Sequence, residues 1–199
     1  MAAVRVVPWW GLVSSAAAPV LLTCGWVTAA VLQPGSFNAV TESVSSLAAV
    51  GASDRWVMTF AFVVVAACDI ATGLALRPAA AVGRLMLIAG GVAGMLVAVS
   101  PQPAAGVFSP AHALWAVVGF GTLVAWPLGA ARRGPSVPWG LRPAVSVGAA
   151  GILAGLLAWF AAELLAGGGH IGLAERVLGG MQAVWPLLVV LSCRRSQPG

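Results

Sequence analysis

Residues 56–99 read WVMTFAFVVVAACDIATGLAL-RP-AAAVGRLMLIAGGVAGMLVAV, two apolar runs parted by Arg77-Pro78. Each run is about 20 residues long, enough to cross the roughly 30 Å hydrocarbon core of a bilayer at about 1.5 Å per helical residue. Pro78 cannot continue a helix, and a charged Arg77 belongs at an interface. The stretch therefore predicts a helical hairpin of two membrane spans, Trp56 to Leu76 and Ala79 to Val99.

The same criterion carried outward finds four more spans: Trp9 to Leu32, Ala111 to Ala131, Ala144 to Ala166 and Val177 to Cys193. Pro19, Pro127 and Pro186 fall inside three of them, where neighbouring helices in a membrane bundle satisfy the carbonyls a proline frees. The expected fold is all-α: a polytopic membrane protein with six transmembrane helices in a single transmembrane domain covering residues 1–199. Composition points the same way. Of 199 residues 60% are hydrophobic and only 8% charged, against about 25% charged in soluble domains, and the mean hydropathy is +0.99.

The net charge of +5 arises from ten arginines, no lysine and five acids. These arginines stand singly or in pairs at the ends of apolar runs, so they read as topology signals and not as a nucleic-acid patch. Arg5, Arg77, Arg84, Arg132, Arg133, Arg142, Arg194 and Arg195 fall on one side of the predicted bundle, and only Arg55 and Arg176 on the other. Eight against two predicts both termini in the cytoplasm, N-in and C-in. Trp9, Trp10, Trp126 and Trp139 are expected at the inner boundary, Trp56, Trp115 and Trp159 near the outer one. Abundant Ala, Gly, Val and Arg without Lys or Tyr fits a GC-rich bacterial genome, which would place the protein in the bacterial inner membrane.

Cys24, Cys68 and Cys193 fall in or at the end of apolar runs without metal-type spacing, and read as small buried apolar residues with no disulfide framework. The stretch ending Leu21-Leu22-Thr23-Cys24 is not a lipoprotein signal on this reading, because Thr23 suits such a cleavage poorly and the apolar run continues past it.

The longest outer connection runs from Gln33 to Arg55. Within it Phe37, Val40, Val44, Leu47 and Ala48 recur at helical spacing, with Asn38, Thr41, Glu42, Ser45 and Ser46 opposite. A short amphipathic helix is expected there, lying on the membrane surface or folded over the bundle mouth.

An acid at mid-bilayer depth costs about 2.5–3.5 kcal/mol on insertion scales, so each should have a partner or a task. Asp69 and Arg84 stand on either side of the Arg77-Pro78 turn at similar predicted depth, and a structural ion pair between them is expected. Glu163 shares a helical face with Trp159, Gly155, Gly151 and Gly148, which predicts a face packed into the bundle. His112, Glu163 and His170 gather toward the outer side with Glu42, Ser46, Trp115, Glu175 and Arg176. The first three are candidate acid, base or metal ligands, and the other five candidate ligand-binding residues. Yet no H-x-x-x-H, H-E-x-x-H or nucleophile elbow occurs, so no metal site is assigned, and an ion-pair network closing the outer end is the simpler reading. No dinucleotide- or phosphate-binding loop occurs, and no motif implies a cofactor. The patterns Gly90 to Gly94 and Gly151 to Gly155 usually serve close packing within one chain and, less often, homo-oligomerisation.

Leu32-Gln33-Pro34-Gly35-Ser36-Phe37, followed by Thr41-Glu42-Ser43-Val44-Ser45-Ser46-Leu47 and by Trp56, resembles the first outer connection of the DUF998 family of prokaryotic multi-pass membrane proteins. His112 opening the fourth span and Gly172-Leu173-Ala174-Glu175-Arg176 leading into the sixth fit the same pattern. Val44 and Ser46 depart from it, where a more acidic or isoleucine-bearing stretch would be expected. The resemblance implies a small polytopic membrane protein of unknown function and carries over no catalytic residue. Three roles agree with this reading: a protein binding lipid or a small ligand in an extracytoplasmic pocket, a lipid-headgroup hydrolase or transferase, and a small transporter or accessory subunit.

Overall fold

The computed structural model describes residues 6–35 and 37–196. Arg5, counted toward the orientation, and Ser36, within the family-like stretch, lie outside them. Among the described residues there are six helices long and apolar enough to cross a membrane. These are α1 Trp9–Val31, α2 Trp56–Ala75, α3 Ala81–Val99, α4 Pro110–Ala130, α5 Pro143–Ala166 and α6 Ile171–Arg195. Five begin and end within two residues of expectation. The exception is α6, which starts at Ile171 instead of Val177, so that Glu175 and Arg176 belong to its first turns and not to a connection. A hydropathy window discounts those charged residues, whereas the backbone continues because Glu175 finds buried partners.

Each helix packs on its chain neighbours, and α6 closes the ring against α1. Glycines set how closely. A Cβ at Gly83 of α3 would fall on the backbone of Ala130 in α4, one at Gly91 would lie 2.6 Å from the Ala66 carbonyl oxygen of α2, and one at Gly25 of α1 would meet Ala61 of α2. Gly90 likewise packs on Leu123 of α4, so the Gly90 to Gly94 pattern is spent inside the chain. The expectation for α5 fails: no described atom outside the helix lies within 4 Å of a Cβ built at Gly148, Gly151 or Gly155. This glycine face turns out of the bundle, and α5 is the most loosely held of the six.

Arg77, Arg84, Arg132, Arg133, Arg142, Arg194 and Arg195 cluster at one end of the bundle, hereafter the arginine-rich end. It is closed by an apolar cluster of Val7, Leu76, Leu87, Trp126, Leu141, Val189 and Val190. Backbone-directed bonds knit this end: Arg132 Nε donates to the Pro78 carbonyl at 3.1 Å, and Arg194 Nη1 to that of Val7 at 3.2 Å. The last bond also places both described chain ends side by side. Trp126, expected in an interfacial belt, is instead fully buried in this cluster, while Trp9 and Trp56 do face outward. The cysteines are unpaired, and Cys24 is exposed on the bundle surface, contrary to expectation.

At the other, arginine-poor end, the connection between α1 and α2 folds over the bundle mouth. Only Ser45–Ala48 is helical, a single 3-10 turn in place of the expected amphipathic α-helix. Local side-chain bonds explain the difference. Asn38 Oδ1 accepts from the Val40 amide at 2.9 Å, and Ser46 bonds twice to Ser43, offering the backbone alternatives to a helical ladder. The apolar side is nonetheless used: Val44, Leu47 and Ala48 are buried among Leu22, Met58 and Ala61 of the helices below.

Candidate functional site

α4 begins at Ser109-Pro110, a side-chain N-cap followed by proline at the first helical position. The Ser109 hydroxyl accepts from the His112 amide. This start holds His112 one turn in, under the first connection. Its Nδ1 lies 3.0 Å from the Ser100 carbonyl, and its Nε2 lies 3.2 Å from Ser45 Oγ. Ser45 Oγ in turn donates to Glu175 Oε1 at 3.1 Å, and Glu175 Oε2 accepts from the Val44 amide at 2.6 Å. One serine hydroxyl thus joins α4 to α6 through the roof of the bundle.

The hydrogen count on this line is constrained. A carbonyl only accepts, so His112 Nδ1 carries a hydrogen, and the single hydrogen of Ser45 cannot serve Nε2 and Oε1 at once. All contacts are made together when one further proton sits on the line, either on Nε2 or on Oε1. The line is a buried polar network with every member partnered, which specifies one arrangement of the roof.

Below the roof is a cavity of about 140 Å³ walled by α1, α2, α3, α4 and α6. Trp26, Phe62, Trp115 and Phe120 form much of its wall, Ser45 and Glu175 its top, and Asp69 and Leu123 its lower end. At about 1.5 Å per residue, the stretch from Trp115 to Leu123 gives it a length of about 12 Å. Gln182 of α6 lines it and spends its amide on the Phe120 carbonyl at 3.2 Å. Asp69 is only 7% exposed, and no described residue hydrogen-bonds or ion-pairs with it.

The expected Asp69 to Arg84 ion pair is therefore absent. Arg84 donates through Nε to the Gly73 carbonyl at 3.0 Å and through Nη2 to that of Leu74 at 3.1 Å. The reason is register. The α2–α3 connection centres on Pro78, not on Arg77, so Gly73 stands opposite Arg84 and Ile88 while Asp69 stands opposite the Gly90–Gly91 region. Arg84 then extends toward the nearer interface, as long cationic side chains do.

The other candidates separate into groups. Glu163 does not enter the bundle: it folds over the end of α5, accepting from the Trp159 indole at 3.3 Å and the His170 amide at 3.0 Å, with His170 Nδ1 at 3.8 Å. His112 makes none of these contacts, so the three candidate catalytic residues do not converge, and no group of three potential metal ligands exists among the described residues. Arg176 acts as a clamp. Its Nη1 donates to the carbonyls of Ala39, Glu42 and Gly172, and its guanidinium lies 5.6 Å from the centroid of the Phe37 ring. Glu42 and Ser46 line a separate outer depression with Gln33 and Ser53. Trp115 and Glu175 alone of the five ligand-binding candidates line the central cavity.

Nothing in the sequence sets Ser45 apart from Ser46, the candidate ligand-binding residue beside it. Ser46 Oγ is consumed by the Ser43 carbonyl at 2.6 Å, and the 3-10 phase turns Ser45 inward. Ser45 beside His112 has the parts of a nucleophile and base, yet the neighbouring amides are already used. That of Val44 goes to Glu175, that of Ser46 to Ser43, and that of Leu47 to the Val44 carbonyl. None of these three is left to stabilise an oxyanion.

No curated protein and no solved structure matches the chain. The family described as Protein of unknown function (DUF998) matches residues 15–192, most of the chain, and the protein belongs to that family.

Proposed function

We propose that this protein binds a small ligand within the membrane, in the cavity beneath the first connection, with its arginine-rich end in the cytoplasm. The cavity then opens toward the extracytoplasmic half of a bacterial inner membrane. The observation that carries the reading is the cavity itself: about 140 Å³ of open-sided space between helices that elsewhere meet at glycine contact distance. A core packed merely for stability would close such a void, because unfilled space forfeits dispersion contacts. An apolar cavity of about 150 Å³ accepts a molecule the size of benzene. The apolar cluster around Trp126 lies between Asp69 and the arginine-rich end, which supports a binding pocket over an open conduit. The scattered candidate acids and bases, and the occupied amides around Ser45, weigh against the hydrolase reading.

The test is to fill the cavity. Gly179 lines it, and a Cβ there meets nothing closer than Leu22 Cδ2 at 3.8 Å. The purified protein should bind benzyl alcohol in saturation-transfer NMR, and Gly179→Phe should abolish the signal while leaving the helical circular dichroism unchanged. Equal signals from the two proteins would refute the reading.

A further inference from the structure

The cavity contains two carboxyl groups that differ in what they already do. Both oxygens of Glu175 are engaged, by the Val44 amide and the Ser45 hydroxyl. Asp69 has neither a hydrogen-bond donor nor a counter-charge among the described residues, although it is more than nine-tenths buried and lines the cavity. A carboxylate in this position is costly in a membrane unless a counter-charge or hydrogen-bond donor arrives to satisfy it.

Nothing among the described residues satisfies Asp69 internally. The chain holds ten arginines, and none of the nine described ones lines the cavity. Arg84, the nearest in sequence across the hairpin, donates to backbone carbonyls, and Arg176 is held on the outer connection. His112 reaches the cavity only through Ser45, on the Glu175 side. The ionisable lining is thus acidic alone. The rest of the wall includes two indoles and two phenyl rings, from Trp26, Trp115, Phe62 and Phe120. Aromatic faces attract cations by their quadrupoles, and do so more strongly where water is excluded.

We infer that the ligand of this cavity is a small organic cation, an ammonium group borne on a slim apolar body, with its charged head at Asp69 and its body between Trp26, Phe62, Trp115 and Phe120. The inference rests on the proposed binding function and adds the charge and shape of what is bound. A cavity of about 140 Å³ accommodates a body of roughly one substituted ring. A hydrated metal ion would be served poorly, since one free carboxylate among aromatic rings supplies too few oxygens. An anion would meet two acids.

Benzylamine and benzyl alcohol have nearly the same shape and differ in charge at neutral pH, so the pair separates the inference from the reading beneath it. Binding is to be measured calorimetrically in dodecyl maltoside, with Gly179→Phe as the blank for partition into micelles. The wild-type protein should bind benzylamine at least about tenfold more tightly than benzyl alcohol, the ratio that one charge-assisted hydrogen bond supplies. Asp69→Asn should lose that preference while still binding benzyl alcohol, which also shows that the variant folds. Should Asp69→Asn fail to fold, Phe120→Leu, at the ring one turn above Leu123 and so at the Asp69 end of the cavity, should lower benzylamine affinity severalfold more than benzyl alcohol affinity, and equal losses would overturn the inference. Equal affinities in the wild-type protein would overturn the cation assignment and leave the binding cavity standing. Binding of neither molecule would remove both. A preference that survives Asp69→Asn would overturn the role given to Asp69.

Discussion

Ser45 shows how much one hydroxyl can hold together. It bonds to Glu175 of α6 and faces His112 of α4, and the cavity below begins where it ends. Ser45→Ala would leave Glu175 Oε1 and His112 Nε2 buried without partners, and a lost buried partner costs about 1–3 kcal/mol. We expect that loss in chemical unfolding of the purified protein, with Ser45→Thr retaining most of the stability because the hydroxyl remains. An Ala variant as stable as the wild type would show that the line from His112 to Glu175 is not needed. Asp69 teaches a different lesson at the same scale. The sequence places a buried acid and an arginine at comparable depth, which marks Asp69 as a residue in need of a partner. Asp69 and Arg84 do not meet because a one-residue difference in the centre of the turn moves the facing position by two residues, about half a helical turn.

At the scale of the elements, small residues decide which helices touch. Gly83 lies against the Ala130 backbone, whereas Gly151 meets nothing in the described chain. Gly83→Val should therefore destabilise by about 1–3 kcal/mol, the usual cost of overpacking. Gly151→Val should leave the stability of the isolated monomer unchanged. If Gly151→Val instead lowers the melting temperature of the purified protein, the α5 face is covered in solution by a second copy. Both glycines sit in apolar runs of similar composition, and nothing in their local sequence separates them. The start of α6 was misplaced for a related reason: Glu175 is unfavourable in lipid but favourable beneath a roof that donates two hydrogen bonds to it. The first connection also departs from its periodicity, since Asn38, Ser43 and Ser46 bond to nearby backbone and permit only one 3-10 turn.

For the molecule as a whole, the two ends carry different tasks. The arginine-rich end is tied by guanidinium-to-carbonyl bonds and sealed by an apolar cluster. The other end is roofed by a connection that leaves space beneath it. The distribution of arginines predicts the orientation in a membrane, and cysteine labelling tests it. In intact bacterial cells, a membrane-impermeant maleimide should label Ala105→Cys, on the exposed connection between α3 and α4, and should spare Arg195→Cys until the membrane is opened. The reverse pattern would invert the proposed topology and place the cavity on the cytoplasmic side.

Hydropathy and helix length suffice to establish six spans, because lipid requires every backbone polar group to be satisfied within a helix and so leaves the chain few alternatives. The same constraint makes the bounds of five of the six helices readable from residues 9–166, and it marks Asp69 as an acid in need of a partner. The cavity, the Ser45 line and the vacant surroundings of Asp69 were decided only in three dimensions. They depend on which glycines meet, on the phase of a single turn and on the register of one hairpin, shifts of a few ångströms that an apolar sequence does not encode locally.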